Sequence, residues 1–272
     1  MFASNPFAGL AGALPDGFMR TFLVLMVLAV IVGTILDMVH KGSATYFFAN
    51  MRKPRGRKRE LGAGEKLAIA AQTLAVDVLA SGEFCNPRRR IAHLLGMYGF
   101  VLYVAATAAM VFAYPASAQA GIWPMLWWIG ALMVMLGGYW FWFFIRVDVA
   151  AEGHSPFRVV KADLFILSML ASVTLGVAWA AMGGGVGPLF WLYLLATAVL
   201  FGSVYWSKFA HMFFKPAAAF EKRVTRADGS AEHLPTQTRD DPEMQKRHSM
   251  ELLRDAPMDM GLGIKREAPR HY

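Results

Sequence analysis

Four histidines, His40, His93, His154 and His211, fall at the edges of long apolar runs, and two of them carry cations at helical spacing. In RRRIAH, Arg89 and Arg90 precede His93 by four and three positions; in HMFFK, Lys215 follows His211 by four. On helices these offsets put each cation on the face of its imidazole, one turn nearer the end of the run. Both imidazoles would then lie about 5 Å inside a charged boundary, at matched depth, on helices running in opposite directions. Two imidazoles at one depth suit a bis-histidine haem, whose iron takes one nitrogen from each side while cations meet its propionates. Gly96 and Gly99, one and two turns from His93, would ease the approach of a flat macrocycle. The same spacing equally describes interfacial histidines beside snorkelling Arg and Lys.

Other chemistry is excluded more firmly. The sequence has no HExxH, no nucleophile elbow, no phosphate-binding glycine loop and no paired carboxylates inside an apolar run. Its single cysteine, Cys85, rules out an internal disulfide and a cysteine-ligated iron-sulfur cluster within this chain. His154, in EGHSP, reads as a solvated turn residue, and His40 as an interfacial residue, an alternative axial ligand or a proton-handling group near Asp37.

The elements that would position these groups are membrane helices. Hydrophobic residues make up 56% of the chain and charged ones 17%, too few for the coat of a soluble domain of this size. Runs long enough to cross ~30 Å of hydrocarbon occupy about 19–39, 92–114, 123–146, 162–182 and 189–213. The expected fold is therefore all-α, an integral membrane bundle of five transmembrane helices. Lys and Arg cluster in MRKPRGRKRE and NPRRR after the first run, at Arg158 and Lys161, and at Lys215, Lys222 and Arg223, whereas 1–17, 114–122 and 183–188 have none. The positive-inside rule then places the N-terminus outside and the C-terminus in the cytoplasm. A cleaved signal peptide is not expected, because the positive residues follow the first run. The net charge of +8 reads as this topology signal and not as nucleic-acid binding.

The expected organisation is a periplasmic segment at 1–18, a membrane domain at 19–214 and a polar, mostly disordered cytoplasmic tail at 215–272. Within the inner-face loop an amphipathic helix is expected at about 64–82, with Leu67, Ala71, Leu74 and Val78 at helical spacing. It suits either the membrane surface or a soluble partner. Trp123, Trp127, Trp128, Trp140 and Trp142 are expected to mark the two membrane interfaces.

Arg90, His93, Gly99 and Phe100 in an RxxHxxxxxGF pattern, with SKFAHMFFKP at 207–216, resemble the five-helix b-type cytochrome family typified by the gamma subunit of respiratory nitrate reductase. The resemblance extends over about 19–220. Within that family VLASGEFCNPRRRIAHLLGMYGF is most similar to membrane anchors of dissimilatory adenylylsulfate reductase, and next to the membrane subunit of the quinone-interacting oxidoreductase complex. The resemblance implies one haem b held by His93 and His211 on the cytoplasmic side, with Arg89, Arg90 and Lys215 near its propionates. It implies quinone as substrate, a cytoplasmic iron-sulfur flavoenzyme as partner, and a location in the bacterial inner membrane. The chain departs from the nitrate reductase pattern in lacking histidines at 94–114 and 189–210, so no outer haem is expected. Alternatives are the gamma-type subunit of a molybdenum reductase and a haem-free structural anchor; a transporter would call for mid-membrane charge or broken helices.

Overall fold

The computed structural model describes residues 2–40, 56, 58–82, 84, 86–150, 153–207 and 211–230, with the backbone alone at 147, 148, 211, 213 and 214. The described residues are helical and contain no strand. The long helices are α1 (Phe18–His40), α2 (Ala63–Gln72, continued by a π-turn at Thr73–Leu79), α3 (Pro87–Ala113), α4 (Trp123–Trp140, continued by a π-turn at Phe141–Ile145), α5 (Leu164–Ala181), α6 (Pro188–Gly202) and α7 (His211–Ala227). Four segments, Phe18–His40, Pro87–Ala113, Trp123–Ile145 and Lys161–Ala181, are long and apolar enough to cross a membrane. The chain thus has the character of a multi-pass membrane protein in a lipid environment.

The expected fifth span at 189–213 is not one helix. Its apolar helix ends at Gly202, and at 1.5 Å per residue its 15 residues reach only about 22 Å. Gly202–Ser203 supplies the break: glycine is a poor helix former, and Gly/Ser pairs are common kink sites. The chain turns through 203–207, where Ser207 N–H donates to the Ser203 carbonyl at 2.8 Å.

The contacts divide the chain into two compact units, one of residues 1–50 and 88–214, the other of 51–87 and 215–272. In the first, the helices pack up and down. α3 and α4 touch backbone to backbone through glycine: a Cβ on Gly99 would lie 2.7 Å from Met133 Cβ and 2.8 Å from the Gly130 carbonyl, and one on Gly137 would lie 2.7 Å from the Ala92 carbonyl. In lipid, where burial offers no hydrophobic gain, such small-residue contacts bring helices together through close packing. Tyr139 bonds Thr174 between α4 and α5 at 2.8 Å, and Ser172 bonds Thr197 between α5 and α6 at 2.7 Å. Phe18 meets Trp191 edge to face, and Gly33 admits Val204, so α1 runs parallel to α6. Only 11% of the apolar window of α1 is buried inside the chain, which leaves most of its surface to lipid.

One end of this unit is closed by the N-terminal segment. Asn5 Nδ2 donates to the carbonyls of Tyr114 and Ser117, and Phe7 on the 3-10 turn Pro6–Leu10 packs on Trp127 and Trp179. Arg20 reaches the last carbonyls of α3, Val111 and Phe112. The opposite end carries Arg88, Arg89, Arg90, Arg146, Arg158 and Lys161, so the charge asymmetry read along the sequence is an asymmetry between the two ends of a bundle.

In the second unit, Arg223 on α7 grips Asp77 after α2 through two bonds of 2.7 and 3.0 Å. Those bonds raise the Arg223 pKa above the ordinary guanidinium value, and the arginine stays charged across the physiological range. The amphipathic helix expected at 64–82 is present, with Thr73 buried and Asp77 clamped on its covered side, while Leu67 and Leu74 stand exposed. Helix continues to Ala227, so the start of the tail expected to be disordered is ordered; residues 231–272 lie outside the described residues.

Candidate functional site

His93 lies in the second turn of α3, half-buried, at the arginine-rich end of its unit. The helix begins at Pro87, where a proline loses nothing because the first N–H groups have no intrahelical acceptor. Arg89 is partly committed elsewhere, donating to the Ile145 carbonyl at 3.3 Å and so tying the start of α3 to the end of the α4 π-turn. Arg90 is exposed. Gly99, expected to make room for a macrocycle, does not: its face is filled by Met133, Gly130 and Val134. Gly96 does have an open flank, with nothing within 4 Å of a Cβ placed there, and it shares the His93 face at one-turn spacing.

His211 stands at the first position of α7, separated from α6 by the turn at 203–207 and by residues 208–210, which lie outside the described residues. Its own side chain lies outside them too. The depth argument for this histidine assumed a helix continuous to 213, and that continuity ends at Gly202. Lys215 belongs to the second unit, where its Nζ sits 5.2 Å from the centroid of the Phe84 ring. The open flank is that of Gly96, one turn from His93, and the pairing of His93 with His211 rests on the sequence resemblance. Among the described residues no group of three or more His, Cys, Asp or Glu is placed to hold a metal ion.

His40 and Asp37 occupy the last turn of α1. Asp37 is 4% exposed, a depth at which a carboxylate must be engaged by other groups. His40 is exposed; its Nδ1 lies 3.3 Å from the Leu36 carbonyl and its ring stands edge to face with Tyr205. The carbonyl can only accept, so Nδ1 carries the hydrogen of this bond, and in the Nδ1–H tautomer Nε2 has a lone pair to offer. His154 lies in an exposed loop, as expected of a turn residue.

Two features escaped sequence reasoning. Arg146 and Asp163 form a buried ion pair of 2.7 Å; Arg146 also donates to the Arg158 carbonyl at 2.6 Å and lies 4.0 Å from the centre of the Trp142 ring. The available signal was a lone arginine ending an aromatic run with an aspartate just before the next one. The second is an aromatic core. Trp127, fully buried, donates to Thr107 Oγ1 at 3.0 Å, and the hydroxyls of Tyr103 and Tyr193 meet at 3.3 Å. Trp127, Trp128 and Trp142 are buried among neighbouring helices, and Thr107 supplies the acceptor that the buried indole N–H of Trp127 needs.

Comparison with known proteins finds no matching family model, no matching curated protein and no matching solved structure.

Proposed function

We propose that this chain is the membrane anchor and electron-transfer subunit of an oxidoreductase complex in a bacterial inner membrane, linking a cytoplasmic iron-sulfur flavoenzyme to the quinone pool. The partner suggested by the sequence resemblance is adenylylsulfate reductase, which would oxidise sulfite and AMP to adenylylsulfate while this chain performs no sulfur chemistry. The observation that carries the reading is the grouping of His93, Arg89 and Arg90, beside the open flank at Gly96, at the basic end of a membrane bundle. One haem b held there would supply a one-electron relay. His93 would hold its iron with His211, and Arg89 and Arg90 would meet its propionates. Lys215 enters this proposal through its spacing from His211 alone.

A specific observation favours a second reading. The helix break after Gly202 removes His211 from the apolar helix that was to carry it to matched depth, which is what a haem-free structural anchor would allow. A gamma-type subunit of a molybdenum reductase, taking electrons from quinol, would use the same residues with the opposite flow.

The deciding experiment is a reduced-minus-oxidised absorption spectrum of the purified chain with haem quantified per polypeptide. A b-type signal near one haem per chain is expected; its reproducible absence after haem-sufficient expression selects the structural anchor. Co-purification from the native membrane separates the partners, a flavin and iron-sulfur protein supporting the first assignment and a molybdenum enzyme the second.

A further inference from the structure

Where α1 approaches the turn after α6, the first unit has a groove of about 430 Å³, within the range of roughly 300–1,000 Å³ typical of small-molecule sites. Its walls include Gly33 and Leu36 of α1, and Gly202 and Trp206 at the other side, with His40 and Tyr205 at one end. Leu36 on α1 and Trp206 in the turn after α6 are exposed, Trp206 by 70%, beside helices whose outer surface is apolar. The groove is therefore entered from lipid, and its occupant must be lipid-soluble. The two glycines of the lining act differently. Gly33 lets Val204 seat against α1, whereas Gly202 is empty-sided: a Cβ there would meet nothing within 4 Å.

The polar end narrows the choice further. In the Nδ1–H tautomer, with that hydrogen directed to the Leu36 carbonyl, His40 offers Nε2 as an acceptor, and the indole of Trp206 and the phenol of Tyr205 stand nearly perpendicular, 5.5 Å apart. An acyl chain would match the apolar walls and leave that acceptor unused. A flat ring bearing a hydroxyl would match both, lying along the aromatic wall while its O–H donates to Nε2. We infer that this groove binds the ring of a lipid-soluble quinol, with His40 accepting the hydrogen bond from a ring hydroxyl. The inference deepens the reading of the chain as a quinone-linked subunit and rests on it for the identity of the ring. It assigns His40 a binding role distinct from axial ligation, and it places the quinol site between α1 and the α6 turn.

The test uses the full chain in quinone-free lipid nanodiscs, titrated with the fluorescent quinol analogue 2-heptyl-4-hydroxyquinoline N-oxide. Saturable quenching is expected for the wild-type chain. Gly202→Leu, which fills the groove from its open side, is expected to weaken binding at least tenfold, and His40→Ala, at an exposed position, about fivefold. The proposal is overturned if both variants bind as the wild type does, or if the wild-type chain shows no saturable binding, the groove then holding acyl chain only. Haem content measured on the same samples keeps the two readings apart. Variant-sensitive binding without haem would retain the groove and remove the haem relay; haem with variant-insensitive binding would do the reverse.

Discussion

At the scale of single residues, the strongest structural commitment is the Arg146–Asp163 pair. Both side chains are nearly sequestered, with 5% and 11% of their surfaces exposed. Removing one partner of such a pair strands the other charge, which costs about 3–5 kcal/mol, whereas replacing both with apolar groups is often neutral. Asp163→Asn is therefore expected to lower the apparent melting temperature in detergent markedly, and Arg146→Met with Asp163→Leu to recover most of the loss. Equal melting temperatures for the single variant and wild type would remove the pair from the stability argument. For the proposed relay, His93→Ala is expected to abolish the b-type spectrum with the fold retained, as judged by circular dichroism. Haem content unchanged by His93→Ala would remove this residue as a ligand.

At the scale of elements, the α3–α4 contact depends on the absence of side chains. A Cβ on Gly130 would fall 2.6 Å from the Tyr103 amide nitrogen and 2.7 Å from the Gly99 carbonyl, both backbone atoms that cannot swing away. Gly130→Val must then separate the helices, at a cost of roughly 1–3 kcal/mol or more. Gly96→Ala, on the open flank of the same helix, is expected to be tolerated, so a comparison of the two by thermal unfolding tests the packing directly. In the second unit, the Asp77–Arg223 clamp is bidentate but partly solvated, and a coupling of roughly 1 kcal/mol is expected from a double-mutant cycle. It also determines which edge of α2 is covered. Leu67 and Leu74 are left exposed, and no described residue of the same unit buries them.

At the scale of the whole molecule, basic residues gather at one end of the up-and-down unit, while Arg20 alone marks the other and is bound to α3 carbonyls. On the positive-inside rule the basic end is expected to face the cytoplasm. Because Cys85 is the sole cysteine, topology can be read without removing any other thiol. A membrane-impermeant maleimide is expected to label the wild-type chain only after permeabilisation, and Gln119→Cys in a Cys85→Ser background to react from outside in intact cells. Labelling of Cys85 in intact cells would invert the orientation.

The membrane character, the start and end of α1, the third and fourth apolar segments, and the amphipathic α2 were legible from the sequence because each depends on local composition: apolar length, flanking charge and helical periodicity. The tertiary structure alone decided the rest. That Trp127 and Trp142 are buried by neighbouring helices, and that Met133 and Gly130 fill the space beside Gly99, are consequences of packing. The break after Gly202 is a local weakness that hydropathy averages away, since the apolar residues beyond it continue the run. Ion pairs such as Arg146–Asp163 and Asp77–Arg223, and the groove beside His40, join residues from 17 to more than 140 positions apart. Charge and hydropathy determine that a helix enters the membrane, but which face meets which neighbour depends on side-chain shape across the interface, and that is settled only when the helices pack.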